Sequence, residues 1–288
     1  MQKSSRVSKR IKPQFTLDAE RACSVGTTLL EVHSNGGIFG NKVTPQHQPP
    51  ERAVTLEERL RFVTFAVALD YLRDSTRLYN LARETYDDPE TTWLFDPTVV
   101  ADAHYKEIFE GLKKHKLAQR EVRDTDIWSN LAKCLVDRFS GSVRNLLESA
   151  EYYGPQLLIT ATRFNIMGLM GPKIGPLWLR MLNDCCTPIK GIEEIPLPVD
   201  RHIVSASFAC GVIVGEHEGL VLDDLTEPIQ TVWRGGGELG GFAAIQLDVP
   251  MWYLGRLGCS KPQPCNRRTE CPVIKFCTKD GRHEVNPD

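Results

Sequence analysis

Apolar side chains recur at helical spacing through the whole middle of this chain. From Thr55 onward, Leu60, Val63 and Val67, with Phe62, Leu69 and Leu78, supply a broad apolar face, and Thr55-Leu-Glu-Glu58 opens it as a capping box. The same period predicts helices over 99–116 (Ile108, Phe109, Leu112) and 125–139 (Ile127, Leu131, Leu135, Val136), with shorter ones over 142–149 and 155–164. Asp124, Ser140 to Ser142 and Gly154-Pro155 punctuate them as caps and breaks. Alternating strand-like runs joined by hairpin turns do not recur before residue 200, so the expected fold class is all-α, with a helical-bundle domain over 55–190. A further helix is predicted over 202–214, then an acidic segment over 216–227. In Arg234-Gly-Gly-Gly-Glu-Leu-Gly-Gly241, five of eight residues are glycine, no strand precedes and no Gly-Lys-Ser/Thr follows, so the stretch reads as a mobile connection rather than a phosphate loop. Residues 1–54 mix basic, Gly-rich and Pro-rich runs and read as an arm or linker of little regular structure, packing on a C-terminal domain over 191–288.

Composition changes this picture little. With 288 residues, 41% hydrophobic and 25% charged, the chain can bury one large core or two modest ones. The first twenty residues lack an apolar signal core, and no apolar run approaches the ~18 residues of a membrane span. A soluble, intracellular protein with no membrane partner is expected, taken as a monomer.

Charge changes it more. The net charge of -2 averages an uneven distribution, since residues 1–12 and 256–282 together hold twelve bases and two acids. That leaves 23 of the 35 bases and 35 of the 37 acids for the remainder. A basic face on an acidic body is compatible with binding nucleic acid, because phosphate responds to the local field; a basic tail is also commonly just a solvated end.

Four cysteines carry the most specific chemistry. Cys259, Cys265, Cys271 and Cys277 are separated by five residues each. Thiolates are soft anionic ligands, and four on one loop suit a [4Fe–4S] cluster or tetrahedral zinc. Zinc modules usually pair their thiols tightly as Cys-x-x-Cys, whereas even five-residue gaps leave slack for a cuboidal cluster, so iron–sulfur is the first reading and zinc the second. Two disulfides or four unligated thiols are the bland alternatives. The other five cysteines, Cys23, Cys134, Cys185, Cys186 and Cys210, lie in apolar or helical contexts and read as inert core thiols.

The run Leu169-Met-Gly-Pro-Lys-Ile-Gly-Pro-Leu-Trp-Leu-Arg-Met-Leu182 closes one helix and opens another through a Gly/Pro turn. Backbone N–H groups beside a helix N-terminus suit one phosphate, which makes Gly171, Lys173, Ile174 and Gly175 candidate DNA contacts, flanked by Arg163 and Arg180. Further on, Ile195-Pro-Leu-Pro-Val-Asp-Arg-His-Ile203 sets Asp200 at the start of a helix, where it reads equally as a cap or as a reacting carboxylate.

Together these motifs resemble the helix-hairpin-helix (HhH-GPD) superfamily of base-excision DNA glycosylases, the group that includes endonuclease III and the adenine-mismatch and 8-oxoguanine glycosylases. The family hairpin, about Leu-Pro-Gly-Ile-Gly-Pro-Lys-Thr-Ala, is similar to Pro172-Lys-Ile-Gly-Pro-Leu-Trp-Leu179. The family's Val-Asp-x-His signature is matched by Val199-Asp-Arg-His202, with Asp200 on the catalytic aspartate, and Leu254-Gly-Arg-Leu-Gly-Cys259 resembles the entry to its cluster loop. The landmarks keep the family order over roughly residues 120–280. Departures stand beside them. Lys173 replaces the hairpin's first glycine, Leu177 replaces the lysine that forms an imine in bifunctional members, and only the last of the family's cysteine gaps (six, two and five) is kept.

The resemblance implies a monofunctional DNA glycosylase that flips a damaged, mismatched or modified base from double-stranded DNA and hydrolyses its N-glycosidic bond, with Asp200 facing the sugar. It also implies a [4Fe–4S] cluster that acts chiefly as a structural brace. Rival readings are lyase activity through Lys173, a non-catalytic or redox-sensing DNA-binding protein, and a zinc module on an unrelated helical domain. Trp93, Trp128, Tyr152 and Tyr153 are candidates for stacking on a base, although aromatics at helical spacing are more often core.

Overall fold

The computed structural model describes residues 14–44, 48–217, 219–260 and 265–278. The bases at Lys3, Arg6, Lys9, Arg10, Lys12, Lys261, Lys279 and Arg282 fall outside that set. Twelve α-helices follow one another among the described residues: α1 (Ala19–Gly36), α2 (Leu56–Ala68), α3 (Ser75–Asp87), α4 (Pro97–Asp102), α5 (Tyr105–Lys114), α6 (Glu121–Phe139), α7 (Val143–Ser149), α8 (Gly154–Arg163), α9 (Ile174–Cys185), α10 (Arg201–Ala209), α11 (Leu222–Gly240) and α12 (Asp248–Leu254). The only strands among them, β1 (Thr16–Leu17) and β2 (Ile213–Val214), pair antiparallel with Thr16 opposite Val214. The all-α class expected from the hydrophobic period is what the chain adopts.

Two hydrophobic cores organise these helices. The first is filled from α2 to α9 and includes Phe62, Phe65, Trp128, Leu131, Trp178 and Leu182. The second combines α1 with α10, α11 and α12, through Val25, Leu29, Ile203, Trp233 and Met251. Trp128 belongs to the first core: it is fully buried, and its indole N–H donates to the Leu94 carbonyl at 2.7 Å, so it is no base-stacking surface.

Local signals decide the helix starts. Thr55 accepts from the Glu58 N–H at 3.2 Å while Glu58 accepts from the Thr55 N–H at 2.8 Å, the reciprocal box that satisfies two orphan donors of α2. The apolar face beyond Val67 does not continue as one helix. Leu72 turns to φ +54°, and Asp74 then caps α3 by accepting from Arg77 N–H at 2.8 Å. The segment 99–116 likewise divides into α4 and α5 at an extended His104.

Two expectations are overturned. Residues 19–36 form a long regular helix, α1, where a linker was predicted, because that segment can bury Ala22, Val25 and Leu29 only against distant α10 to α12. The Gly-rich run 234–241 is not a mobile connection: residues up to Gly240 lie within α11. Close packing is the reason. A Cβ on Gly236 would stand 2.7 Å from the Ala22 Cβ and 2.8 Å from the Cys23 backbone nitrogen, so the missing side chain lets α11 lie directly on α1.

Candidate active site

The loop between α2 and α3, the hairpin between α8 and α9, the start of α10 and the end of α12 converge where the two cores meet. They enclose a cavity of about 130 Å³ whose walls include Tyr71, Arg73, Asp74, Lys173, Asp200 and His202, with Arg201, Trp252 and Arg256 and the apolar Leu72 and Leu222 beside them. A smaller space of about 20 Å³ continues inward past Asp70, Leu177, Arg180 and Asp248. Asp200 and Lys173 line both.

Asp200 is the N-cap of α10. Its Oδ1 accepts from the N–H groups of His202 at 2.8 Å and Ile203 at 2.9 Å, and among the described residues no hydrogen bond goes to Oδ2. The cap thus fixes the carboxylate's direction with one oxygen, on a half-buried residue that lines the cavity. Gly255 draws the end of α12 against this helix, since a Cβ there would lie 2.2 Å from the His202 carbonyl oxygen. His202 is buried against Trp252 (centroids 6.0 Å apart), with Nδ1 3.2 Å from Ser260 Oγ. Burial lowers its pKa against the opposing pull of Asp200, which keeps the ring neutral at pH 7.

The hairpin candidates separate once their side chains are placed. Gly171 is exposed at φ +98°. Ile174 and Gly175 are buried in the first turn of α9, with the Gly175 N–H given to the Gly171 carbonyl at 3.3 Å. Lys173 does not reach outward for phosphate, as expected from the sequence. Its ammonium turns inward, 2.6 Å from the Asp70 carbonyl oxygen and 3.3 Å from Asp70 Oδ1. Burial works against its charge, but Asp70 and then Asp200 outweigh it and hold the Lys173 pKa above the ordinary lysine value. Asp70 itself is fully buried, with Oδ1 also accepting from Ser75 Oγ at 3.0 Å and Oδ2 without a hydrogen-bond partner.

Arg180 is likewise no surface contact. It is 6% exposed, with Nε 2.8 Å from Asp248 and Nη1 3.1 Å from Asp184, because the buried Asp248 needs a cation more than the solvent does. Leu177, where the resemblance would put an imine-forming lysine, faces the inner space with Asp200.

The walls include aromatic residues that sequence reading missed. Tyr71 lies under the guanidinium groups of Arg120 and Arg123, each 5.5 Å from its ring centroid. Trp252 lies under Arg256 at 4.8 Å, and Arg256 also meets Asp74 across the cavity mouth at 3.2 Å. Neither aromatic has a periodicity that marks it out, whereas Tyr153, one of the sequence candidates, gives its hydroxyl to Glu194 away from this cavity.

The cysteine loop closes the second core. Cys259 ends a π-turn over Gly255–Cys259, while Cys271 and Cys277 each follow a 3-10 turn. Buried Cys210 feels the thiols of Cys259, Cys271 and Cys277, behind its own desolvation, which raises its pKa. Arg21 of α1 ties this end together by donating to the carbonyls of Cys210 and Phe276. None of the nine cysteines forms a disulfide. Four half-buried soft donors on one loop fit a cluster in kind of ligand, although among the described residues no three His, Cys, Asp or Glu side chains stand as a ready metal group.

No protein-family model matches the chain, and no curated protein matches its sequence. Solved structures do match, and what they show is the fold, which is similar to that of an endonuclease III and of a thymine-DNA glycosylase. A trapped endonuclease III–DNA covalent intermediate, in an estranged-adenine complex, superposes with a TM-score of 0.55 at 14% identity, over 90% of this chain and 97% of that one. A thermostable thymine-DNA glycosylase superposes with the same TM-score at 11% identity, over 91% and 97%. No helix among the described residues is long and apolar enough to cross a membrane.

Proposed function

We propose that this protein is a DNA glycosylase that takes a base flipped from double-stranded DNA into the cavity between its two cores and hydrolyses the N-glycosidic bond. The observation that carries the reading is Asp200: a helix-capping carboxylate with one oxygen fixed by backbone donors, lining a cavity beside the hairpin, within a fold similar to that of known glycosylases. Flipping is required because the sugar–base bond is shielded in the stack, and it costs least at a mismatched or damaged base. As the base leaves, positive charge grows on the sugar. The Asp200 carboxylate stabilises that charge and orients the attacking water. The exposed turn at Gly171 would meet a backbone phosphate through its main-chain N–H. The charges of Lys173 and Arg180 serve the interior.

The product is an abasic site with an intact strand. Leu177 cannot form an imine, and Lys173 is held protonated by Asp70, whereas an imine-forming lysine must be a free amine. A second reading, lyase activity, is favoured by one observation: Lys173 lines the same cavity as Asp200. Incubation of single-lesion duplexes followed by alkali tests the first reading. Asp200→Asn should lose on the order of 100- to 1000-fold in base release while still binding DNA. A covalent adduct trapped by borohydride and lost in Lys173→Ala would establish the second.

Cys259, Cys265, Cys271 and Cys277 would hold a [4Fe–4S] cluster, which when bound would brace the basic C-terminal loop. Anaerobic purification with iron, sulfide and zinc analysis separates this from a zinc site, since zinc without sulfide would exclude the cluster.

A further inference from the structure

A second recess opens beside the Asp200 cavity and shares Arg73 and Asp74 with it. Arg77, Lys116, Ala118 and Gln119 complete its walls, around a space of about 160 Å³. Arg73 sets the geometry: its guanidinium donates to the Leu117 carbonyl at 3.0 Å and pairs with Asp124 at 3.8 Å, which draws the loop after α5 against the start of α3. Arg73 is thereby neutralised, and Asp74 is taken by Arg256 at 3.2 Å. Two cations are left over. Arg77 and Lys116 are both exposed, and among the described residues neither side chain has a hydrogen-bond or ion-pair partner. Lys116 differs in this from its neighbours along the chain, since Lys113 pairs with Glu121 at 3.7 Å and Lys114 with Asp88 at 2.7 Å. It sits at φ +57°, a left-handed conformation unfavourable for a residue with a Cβ. Like charge gathers around this recess: burial lowers the Arg73 pKa, and the guanidinium groups of Arg120 and Arg77 push the same way against Asp124 and Asp70.

We propose that Arg77 and Lys116, with the Gln119 amide beside them, form a phosphate subsite for the DNA strand whose nucleotide enters the adjoining cavity. The inference deepens the function above and rests on its DNA-binding part alone. A nucleotide in that cavity carries its two phosphates within a few bonds of the sugar, so they lie near the cavity mouth, and the recess opens alongside. Two cations on one recess repel each other in the free protein. A phosphodiester between them replaces that repulsion with charge-assisted hydrogen bonds, and the Gln119 amide can add a neutral donor. The subsite also supplies a charge that the hairpin lacks. Gly171 offers phosphate only a main-chain N–H, and the Lys173 ammonium is bound to Asp70.

Fluorescence anisotropy of the full chain with a duplex carrying a tetrahydrofuran abasic-site analogue tests this, read over a range of salt concentrations. A second series places a single uncharged methylphosphonate in turn at each phosphate near the analogue. Arg77→Ser/Lys116→Ser should weaken binding on the order of tenfold and lower the slope of log Kd against log salt by about 1 for each cation removed. Neutralising the phosphate held here should weaken the unaltered protein by a similar factor and leave the serine variant unaffected, while sensitivity at the other positions stays the same in both. Arg77→Lys/Lys116→Arg keeps both charges and should keep the slope. An unchanged slope in the serine variant, or a methylphosphonate profile identical to that of the unaltered protein, would overturn the proposal. Because the readout is binding, absence of base release would remove the hydrolytic reading without touching this one. Failure of the unaltered protein to bind any duplex would remove both.

Discussion

The Asp200 carboxylate caps α10 and, in the proposed reaction, faces the sugar, and the two roles can be separated. Asparagine caps a helix about as well as aspartate, whereas alanine cannot accept from the His202 and Ile203 N–H groups. Asp200→Asn and Asp200→Ala should therefore both lose base release, but only the alanine variant should lose stability, by about 1 kcal/mol in urea denaturation. Equal stability of the two would mean that the cap contributes nothing. Asp200 was legible in the sequence because a cap leaves a local signature of extended backbone, aspartate, then helix. Its neighbours were not. Lys173 and Arg180 read as phosphate contacts, since a lysine in a turn and an arginine on a helix normally face water. Their partners, Asp70 and Asp248, lie 103 and 68 residues away along the chain.

At the level of single helices, the start of α2 offers a test whose sign follows from its cap. Hydrogen bonds from the Thr55 backbone and side chain lower the Glu58 pKa. A carboxylate with a depressed folded pKa contributes stability above its unfolded value, about 4.3, and loses that contribution as pH falls through the folded value. The stability gap between the protein and Glu58→Ala should accordingly be full at pH 7 and shrink below about pH 4; a gap constant with pH would count against the capping box. The Arg180–Asp248 pair, joining α9 to α12, behaves differently because it is buried. Arg180→Met leaves Asp248 without its nearest cation and should cost about 3–5 kcal/mol, while Arg180→Met/Asp248→Leu should cost less. Chemical denaturation of the three proteins checks the order. Helix periods in the sequence located α2 to α9 well, but they ran α2 past the turn at Leu72 and joined α4 to α5. Hydrophobic spacing reports which face is apolar and says little about where a chain must bend to keep that face inside.

Across the whole molecule, the first and last described segments meet. Arg21, near the N-terminus, donates to the carbonyls of Cys210 and Phe276, and its guanidinium lies 5.7 Å from the Phe276 ring. If the four C-terminal cysteines hold iron, Arg21→Ala should hasten its loss to a chelator, followed by the fading of the visible absorption, while α2 to α9 stay folded by circular dichroism. Iron retention equal to that of the unaltered protein would show that α1 does not brace the loop. The sequence by itself determined the helical class, the order of hairpin, aspartate and cysteine loop, and several helix starts, because each is written in residues close together along the chain. Only the tertiary structure decided that α1 is a helix, that the glycines of α11 are a packing surface, and that Tyr71, Lys173 and Trp252 share a cavity with Asp200. Those outcomes depend on burial against partners dozens to hundreds of residues away, and no local pattern encodes which buried charge an ammonium will find.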